Sequence, residues 1–264
     1  MRHDYETIDL RRAGSRLGIR LNRPEVRNAF DERMIAELTS LFEEVAKDDS
    51  LRCVILRGEG AAFCAGADIS WMRRAADYGR DDNVADARRL ARLFQAFVEV
   101  PCPTVAVVQG AALGGGAGLV ACADIAVAAD DAKLGFTEVR LGIVPAVISP
   151  FVLRKVPDCH ARRYFATGEV FDGRRASEIG LVSESVPAHQ LDARVQQIIA
   201  KILTGGPRAT RVAKGLVDTI RQTPSDQVFG VTADLIAELR ATDEAREGLS
   251  AFLEKRHPVW REEE

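Results

Sequence analysis

Two segments of the chain have apolar residues spaced for one face of a helix. In the first, Asp31 can cap the amino end of a run with i, i+3/i+4, i+7 spacing. Its apolar positions are Met34, Ile35, Leu38, Leu41, Phe42 and Val45. The second segment, residues 84–99, repeats this spacing and stops before Pro101 and Pro103, which cannot continue a helix. The pattern therefore predicts two amphipathic helices.

Shorter apolar runs around these helices predict strands. Residues 5–12 and 16–21 alternate imperfectly on either side of a glycine-containing turn, which indicates a hairpin. The runs at 53–56, 104–108 and 124–128 are short and apolar enough to be buried strands. Strands separated by helices are typical of α/β folds, so each strand is expected to deliver its following loop to a common side.

A glycine cluster follows the strand predicted at 104–108. Three successive glycines, Gly114 to Gly116, precede small apolar residues that predict a helix inside the molecule. Unpaired N–H groups at such a helix start favour negative charge. The same stretch, residues 109–145, contains Glu138, whose carboxylate could move a proton to or from a group held there.

Two further regions complete the pattern. A polar segment that we expect to be mobile follows residues 61–72 and continues through Asn83. After Pro145 the pattern becomes helical throughout. The predicted helices are 147–156, 159–166, 174–180, 191–204, 207–221, 226–240 and 243–256.

The composition is that of a folded globular protein. With 47% hydrophobic and 28% charged residues, the chain can build a sizeable core and is not expected to be disordered. Its 264 residues suit one main core with a terminal extension. A net charge of −3 gives no electrostatic reason to expect a nucleic-acid partner, which usually binds a basic face.

The cysteines and the apolar runs indicate where the protein works. Five cysteines are an odd number, and most lie inside apolar runs, so we expect reduced core thiols rather than a disulfide framework or a metal site. The amino end has no apolar signal-peptide core, and no apolar run is long enough to cross a membrane. The sequence therefore predicts a cytoplasmic protein that does not bind a membrane.

Four blocks in order along the chain resemble the crotonase superfamily, also called the enoyl-CoA hydratase/isomerase family. They are NRPEVRNAF at 22–30, AFCAGADI at 62–69, QGAALGGGAGL at 109–119 and FTEVRLGIVP at 136–145. This resemblance implies an α/β fold with a crotonase-like ββα spiral core over residues 1–200. It also implies a helical region at 201–264 that is used to form homotrimers or homohexamers.

The resemblance also implies the chemistry, which passes through the enolate of an acyl-CoA thioester. The backbone N–H groups of Ala67 and Gly115 would form the oxyanion hole, and Glu138 would move the proton. Typical hydratases of this family have a second glutamate, but the matching residue here is Gly118. No metal and no bound cofactor are implied, since the coenzyme A thioester is itself the substrate.

Further residues match positions that contact the substrate in the family. Arg27 matches a position near the CoA phosphates, and Arg suits bidentate phosphate binding. Phe252 and Lys255 match a region that can reach the CoA of a neighbouring subunit. Trp71 matches the wall of the acyl pocket, although packing in the core explains it equally well. The remaining predicted contacts are Ala65, Asp68, Ile69 and Gly114. For Asp68, the residue type favours a helix cap or a turn over a replacement for the missing acid.

One stretch is similar to a subgroup within the family. The strings GLVACADIAVA and TEVRLGIVPAVISPFV resemble bacterial 3-methylglutaconyl-CoA and isohexenylglutaconyl-CoA hydratases. Ala146, Val147 and Ile148 stand where ordinary members have glycines, which should reshape the acyl pocket. The leading hypothesis is therefore an enoyl-CoA hydratase for a branched acyl group. The alternatives are a Δ3,Δ2-enoyl-CoA isomerase, a CoA-binding protein without catalysis, and an RNA-binding protein.

Overall fold

The structure is a computed structural model that describes residues 5–261. The described strands are β1 Ile8–Ala13, β2 Arg16–Leu21, β3 Cys53–Gly58, β4 Thr104–Val108, β5 Ala111–Leu113, β6 Ile125–Ala129, β7 Lys133–Gly135, β8 Val170–Asp172 and β9 Glu184–Val186. The described α-helices are α1 Glu32–Val45, α2 Ile69–Ala75, α3 Arg80–Val98, α4 Gly115–Cys122, α5 Ser149–Val152, α6 Asp158–Thr167, α7 Gly173–Glu178, α8 Leu191–Thr204, α9 Pro207–Gln222, α10 Val228–Arg240 and α11 Asp243–Leu253.

Two sheets form the frame of the fold. The larger has the order β1-β2-β3-β4-β6-β9, and the smaller has the order β5-β7-β8. From β2 to β9, each strand of the large sheet pairs with the next in a parallel arrangement. The edge strand β1 pairs with β2 as an antiparallel hairpin. This confirms the hairpin and the three buried strands that the sequence predicts, and it makes the sheet a mixed one.

The chain repeats one unit as it passes between the two sheets. Strand β4 enters the large sheet, β5 enters the small sheet, and α4 follows; then β6, β7 and a short helical turn repeat the order. Successive units are parallel in both sheets, because β4 pairs with β6 and β5 pairs with β7. These are the ββα turns of the expected spiral.

Helix α1 forms as its spacing predicts. The Asp31 carboxylate accepts a hydrogen bond of 2.8 Å from the Met34 N–H, which satisfies one of the free donors at the helix start. All six predicted apolar positions are buried. The opposite helix of the pair is α3, and Phe42 stacks on Phe97 with ring centroids 4.5 Å apart. The two amphipathic helices therefore close one side of the core.

Two expectations need correction. Helices occupy most of the segment expected to be polar and mobile, because the Asp68 cap starts α2 and α3 begins at Arg80, with acidic residues in its first turn. The helix predicted at 147–156 is only the single turn α5. There, Lys155 N–H donates to the Val152 carbonyl, an i→i−3 bond that ends the α-helical pattern.

The chain after α5 is mostly helical, as predicted, but two short strands were missed. Helices α6 to α11 match the predicted segments, while β8 joins the small sheet and β9 the edge of the large one. Helix α8 packs against β3, β4 and β6, and it continues past residue 200. The predicted division into a core over residues 1–200 and a helical region over residues 201–264 stays a prediction. Residues 1–4 and 262–264 of these two regions lie outside the described residues.

Within residues 5–261, no helix is both long and apolar enough to cross a bilayer. The five cysteines are free thiols, of which only Cys159 is exposed. Burial raises the pKa of Cys53 and of Cys64 to about 12, so these two thiols stay protonated near neutral pH. They are packing groups of the core, as the sequence predicts.

Candidate active site

A pocket of about 310 Å³ lies between α2, α3, the first residues of α4 and the segment that follows β7. Most of its wall is apolar, and its two ionisable residues are Asp86 and Glu138. The lining residues are Phe30, Ala65, Gly66, Ala67, Trp71, Met72, Ala75, Asp86, Leu90, Gly114, Gly115, Thr137, Glu138, Leu141, Ile143, Val144, Pro145, Ala146, Val147 and Ile148. Such a mostly apolar pocket with few polar groups is typical of small-molecule sites.

The fold brings Ala67 and Gly115 to the same level of this pocket. A parallel bridge pairs Cys64 with Ala112. Ala67 lies three residues beyond Cys64 in one segment, and Gly115 lies three residues beyond Ala112 in the other. Neither amide donates a hydrogen bond to another described residue. Gly115 is the first residue of α4, where N–H groups lack partners within the helix. Both donors are therefore available to a ligand oxygen.

Gly114 holds the glycine cluster in place. Its φ of 51° lies in the left-handed region, which favours glycine, and its N–H donates to the Gly135 carbonyl over 2.9 Å. A Cβ at this position would lie 3.4 Å from Oε1 of Glu138. A side chain at Gly114 would therefore come into van der Waals contact with the Glu138 carboxylate, and glycine leaves that space open.

Glu138 begins a short 3₁₀ turn, Glu138–Leu141, just after β7. Its carbonyl accepts a hydrogen bond from the Ile143 N–H, which ties the turn to the following pocket wall. Its Oε2 atom is buried and has no hydrogen-bond partner among the described residues. Burial raises the pKa of the Glu138 carboxyl group above its usual value of 4.5. Glu138 thus combines an unpartnered buried oxygen atom with a raised pKa, which are properties suited to a proton-transfer group.

Apolar side chains fill the space beside Gly118, where related hydratases have a second glutamate. A Cβ at Gly118 would lie 2.4 Å from Cγ2 of Ile148 and 3.0 Å from Cζ of Phe94. Both contacts are far closer than a normal carbon–carbon distance of roughly 3.5–4.0 Å. Ile148 therefore occupies the space beside Gly118, and a side chain at Gly118 requires Ile148 to move. That these residues reshape the acyl pocket stays a prediction.

Asp86 is an acidic residue of the pocket that the sequence analysis missed. It lies on the face of α3 that also carries Leu90 and Phe94, at i, i+4 and i+8. At a rise of 1.5 Å per residue, Asp86 is roughly 12 Å from Phe94 along the helix. Its carboxylate pairs with Arg89 over 2.8 Å. Asp86 therefore belongs to the end of the pocket away from Gly118.

The other predicted contacts divide into two groups. Ala65, Gly114 and Trp71 line the pocket as expected. Asp68 does not: its Oδ1 accepts from the Ser70 and Trp71 N–H groups, and its Oδ2 pairs with Arg23 over 2.9 Å. Asp68 is therefore the cap of α2, and its two oxygen atoms are already occupied by the protein.

Four predicted contacts lie outside the pocket wall. Ile69 is 64% exposed beside the pocket, and Arg27 is an exposed residue whose carbonyl accepts from the Ala65 N–H over 3.0 Å. Arg27 is thus anchored to the pocket through its backbone. Phe252 is 80% exposed near the end of α11, followed by Lys255. Their predicted contact with the CoA of a neighbouring subunit stays a prediction.

Asn28 supports the site from behind, and the sequence analysis quoted it without giving it a role. It is fully buried with a φ of 57°, and its side-chain amide donates to the carbonyls of Glu59 and Ala62. Those bonds hold the loop that leads into the Ala65–Ala67 segment. The available sequence signal was the residue type, since asparagine is one of the few residues besides glycine that adopt a left-handed backbone conformation.

A groove of about 620 Å³ beside α9 is larger, but its ionisable groups serve the fold. Nζ of Lys155 donates to the carbonyls of Val120 and Ala123, so it caps the end of α4. Burial lowers the pKa of Lys155 to about 8. Lys214 in turn pairs with Asp124. The smaller pocket, in contrast, combines the free Ala67 and Gly115 amides with the unpaired Glu138 carboxylate.

Comparisons with known proteins agree with this geometry. The profile of the family described as enoyl-CoA hydratase/isomerase matches residues 12–263. A putative enoyl-CoA hydratase of Thermus thermophilus is 34% identical over 238 residues, which are 90% of this chain and 94% of that protein. The crotonyl-CoA hydratase of Syntrophomonas wolfei is 34% identical over 254 residues, which are 96% of each protein.

Solved structures resemble the whole chain. AtuE of Pseudomonas aeruginosa is 37% identical with a TM-score of 0.94, covering 97% of this chain and 100% of that chain. An enoyl-CoA hydratase from Shewanella pealeana is also 37% identical, with a TM-score of 0.92 and 97% of each chain covered. These similarities confirm the predicted α/β fold with its crotonase-like spiral and its helices at the carboxyl end.

Proposed function

Because the chain belongs to the enoyl-CoA hydratase/isomerase family, we propose that it is an enoyl-CoA hydratase, which adds water across the C2=C3 bond of an acyl-CoA thioester. The observation that carries this proposal is the presence of three groups in one pocket. They are the free N–H groups of Ala67 and Gly115 and the unpaired carboxylate of Glu138. Water addition needs such donors because negative charge develops on the thioester oxygen.

In the proposed reaction, the thioester oxygen accepts hydrogen bonds from both amides, which makes C3 electrophilic. A water molecule adds its oxygen to C3 while the Glu138 carboxylate takes one of its protons. The C2=C3 electron pair moves toward the thioester oxygen, and the two amides hold the resulting enolate. Glu138 then gives its proton to C2, the thioester re-forms, and the carboxylate is regenerated. The net change is one OH at C3 and one H at C2.

One carboxylate carries both proton transfers in this proposal. The raised pKa of Glu138 suits a group that must accept and then donate a proton. Ile148 and Phe94 fill the space beside Gly118, which leaves no room for a second acid there. Asp86 lies at the other end of the pocket wall and pairs with Arg89, so it does not replace the missing glutamate.

The same observation favours a second candidate, a Δ3,Δ2-enoyl-CoA isomerase. That reaction needs one base, which takes a proton from C2 of a 3-enoyl thioester and returns it to C4. The amides of Ala67 and Gly115 would hold the same enolate. Absence of a second acid beside Gly118 suits this chemistry as well, because no water has to be activated.

Absorbance of the conjugated enoyl thioester separates the two candidates. We expect reversible loss of this absorbance when the protein is added to a 2-enoyl-CoA. If conjugation only appeared from a 3-enoyl-CoA, and no 2-enoyl-CoA were hydrated, the isomerase would be the correct function. If neither change occurred with any thioester tested, a CoA-binding role without catalysis would replace both.

The role of Glu138 has its own test. Glu138→Gln should lower turnover by about 10²–10⁴-fold, the usual contribution of a general acid–base group, and leave thioester binding nearly unchanged. Glu169→Gln is the matched control, since Glu169 is outside the pocket and pairs with Arg163. Unchanged turnover in Glu138→Gln would remove this carboxylate from the mechanism.

For the acyl group, we propose a branched substrate of the 3-methylglutaconyl-CoA type. The support is the wall made by Ala146, Val147 and Ile148, which replaces flexible glycines with side chains and narrows the pocket beside the reacting carbons. The comparison is kcat/KM for 3-methylglutaconyl-CoA against crotonyl-CoA. A preference for the unbranched thioester would overturn the proposal.

We also propose a homotrimer or homohexamer that works in the cytoplasm without a metal or bound cofactor. The support for assembly is the apolar surface of the last helices: neither α9 nor α10 has a buried side chain, and Phe229 is 83% exposed. Light scattering on protein eluted from a size-exclusion column measures the molar mass of the assembly. The mass of a monomer would refute the proposed homotrimer or homohexamer. Undiminished turnover after dialysis against a chelator is the expected result for a metal-free enzyme.

A further inference from the structure

Buried polar atoms without partners are rare in folded proteins, and those that occur need an explanation. Among residues 5–261, the buried side-chain atoms of this kind are Nε of Arg16, Nε1 of Trp71, Oε1 of Gln109 and Oε2 of Glu138. Two of the four, those of Trp71 and Glu138, line the same pocket. The Trp71 atom is a donor and the Glu138 atom is an acceptor. Unpaired groups of both kinds in one pocket are expected where a polar ligand supplies the missing hydrogen-bond partners.

Trp71 is held firmly in this position. It lies in the first turn of α2, whose start is fixed by the Asp68 carboxylate through bonds to the Ser70 and Trp71 N–H groups. Arg23 in turn holds Asp68. The Trp71 side chain is only 5% exposed, so solvent does not satisfy its indole N–H. An indole N–H can only donate, which restricts its partner to an acceptor atom.

The indole and the oxyanion hole serve different parts of a ligand. Trp71 is three residues beyond the Asp68 cap, a rise of roughly 4.5 Å along α2. The Ala67 amide, just before that cap, faces the thioester oxygen in the proposed function. A donor displaced from the oxyanion hole in this way is free to meet a part of the ligand other than the thioester oxygen.

The charges of the pocket are consistent with a donor of this kind. No Lys or Arg is among the described residues that line it, and its ionisable groups are the carboxyl groups of Asp86 and Glu138. The guanidinium of Arg89 pairs with Asp86, and that of Arg23 pairs with Asp68. An oxygen atom on the acyl chain therefore finds no cation in the described wall, and the side-chain donors that the wall offers are the indole N–H of Trp71 and the hydroxyl of Thr137.

Building on the proposed function, we infer that Trp71 is a specificity-determining residue whose indole N–H binds an acceptor oxygen on the acyl chain, beyond the reacting double bond. The substrate class is an acyl-CoA thioester that carries a carboxylate or a neutral carbonyl at that distance. Both groups accept a hydrogen bond from an N–H in the same way. They differ in charge, and that difference can be tested.

The variant Trp71→Phe removes the N–H and keeps an aromatic ring. Trp260→Phe is the matched control, because Trp260, the other tryptophan, donates to the Thr204 carbonyl outside the pocket. The substrates are crotonyl-CoA, which has no distal acceptor, 3-methylglutaconyl-CoA, and the methyl ester of its distal carboxylate. We expect Trp71→Phe to lower kcat/KM about tenfold for the acceptor-bearing thioesters, and by less than about twofold for crotonyl-CoA.

Two results would overturn the inference. An equal loss with crotonyl-CoA would place the N–H on the thioester or on the attacking water, and no loss with any substrate would leave it without a role in recognition. The ester separates the two acceptors: a loss with both thioesters supports a carbonyl oxygen of either charge, while a loss with the acid alone assigns a carboxylate.

A binding measurement keeps this test independent of hydration. The dissociation constants of 3-methylglutaryl-CoA and butyryl-CoA, which are saturated and cannot be hydrated, can be measured by calorimetry for both variants. Trp71→Phe should weaken the first about tenfold and leave the second unchanged. If that difference appeared in a protein without hydratase turnover, the proposed function would fail while the role of Trp71 stood. Equal binding of both thioesters to the variant and the parent would refute the role itself.

Discussion

Replacing Gly118 by alanine is expected to destabilise the protein, although the same exchange in a helix usually stabilises it. A Cβ at Gly118 would lie 2.4 Å from Cγ2 of Ile148, so that methyl group must move by more than about 1 Å to reach a normal contact. Ile148 is only 2% exposed and cannot move into solvent. Overpacking of this kind costs about 1–3 kcal/mol.

Gly215→Ala provides the matched control. Gly215 also lies inside a helix, and no atom is within 4 Å of the Cβ that alanine would add. Its replacement should stabilise the protein by about 0.5–1 kcal/mol through helix propensity. The two alanine variants should therefore differ by about 2–4 kcal/mol in free energy of unfolding, with opposite signs relative to the parent.

A double-mutant cycle tests the proposed cause. Ile148→Ala alone should cost about 2–5 kcal/mol because it removes buried methyl groups. In that background Cγ2 is absent, so Gly118→Ala should cost about 1–2 kcal/mol less than in the parent. Denaturant unfolding with an unchanged slope measures each free energy. If Gly118→Ala were as stable as Gly215→Ala, or if the two changes were additive, the packing argument would be wrong.

Three further variants test other parts of the structure. Burial raises the pKa of the Glu138 carboxyl group in the folded state above 4.5. The stability that the protonated carboxyl group contributes is therefore present below pH 4.5 and is lost as the pH rises through the folded-state pKa. Glu138→Gln should raise the free energy of unfolding at pH 8, relative to the parent, and leave it unchanged below pH 4.5. Burial lowers the pKa of Lys155 from 10.5 to about 8. Between pH 8 and pH 10.5, the folded state therefore binds fewer protons than the unfolded state. Stability should rise across that interval in the parent relative to Lys155→Met, and parallel curves would refute the assignment. Asn28→Ala should cost about 3 kcal/mol, because it removes three hydrogen bonds of a buried side chain, whereas the exposed Asn83→Ala should cost less than about 1 kcal/mol.

Long periodic segments of the sequence were enough to predict the main elements. Six apolar positions fixed the buried face of α1, and the Asp31 cap fixed its start. The small sheet was not predictable in this way, because β5, β7 and β8 have three residues each and cannot show an alternating pattern. Their positions depend on pairing between distant segments.

The candidate site shows the same division. Motif positions identified Glu138, Ala67 and Gly115, and the structure brings all three into one pocket. No local pattern could show that Ile148 fills the space beside Gly118, since 30 residues separate them in the chain. Asp86 and the unpaired N–H of Trp71 are likewise visible only when α2 and α3 face the same cavity.

The contact between Gly118 and Ile148 restricts the order in which this lineage could change its number of catalytic acids. A glutamate arising at position 118 while Ile148 is present would meet that side chain before it could reach any substrate. Position 148 must therefore become small first, and the two substitutions are epistatic. The reverse path is equally ordered, because isoleucine can enter only after the glutamate is lost.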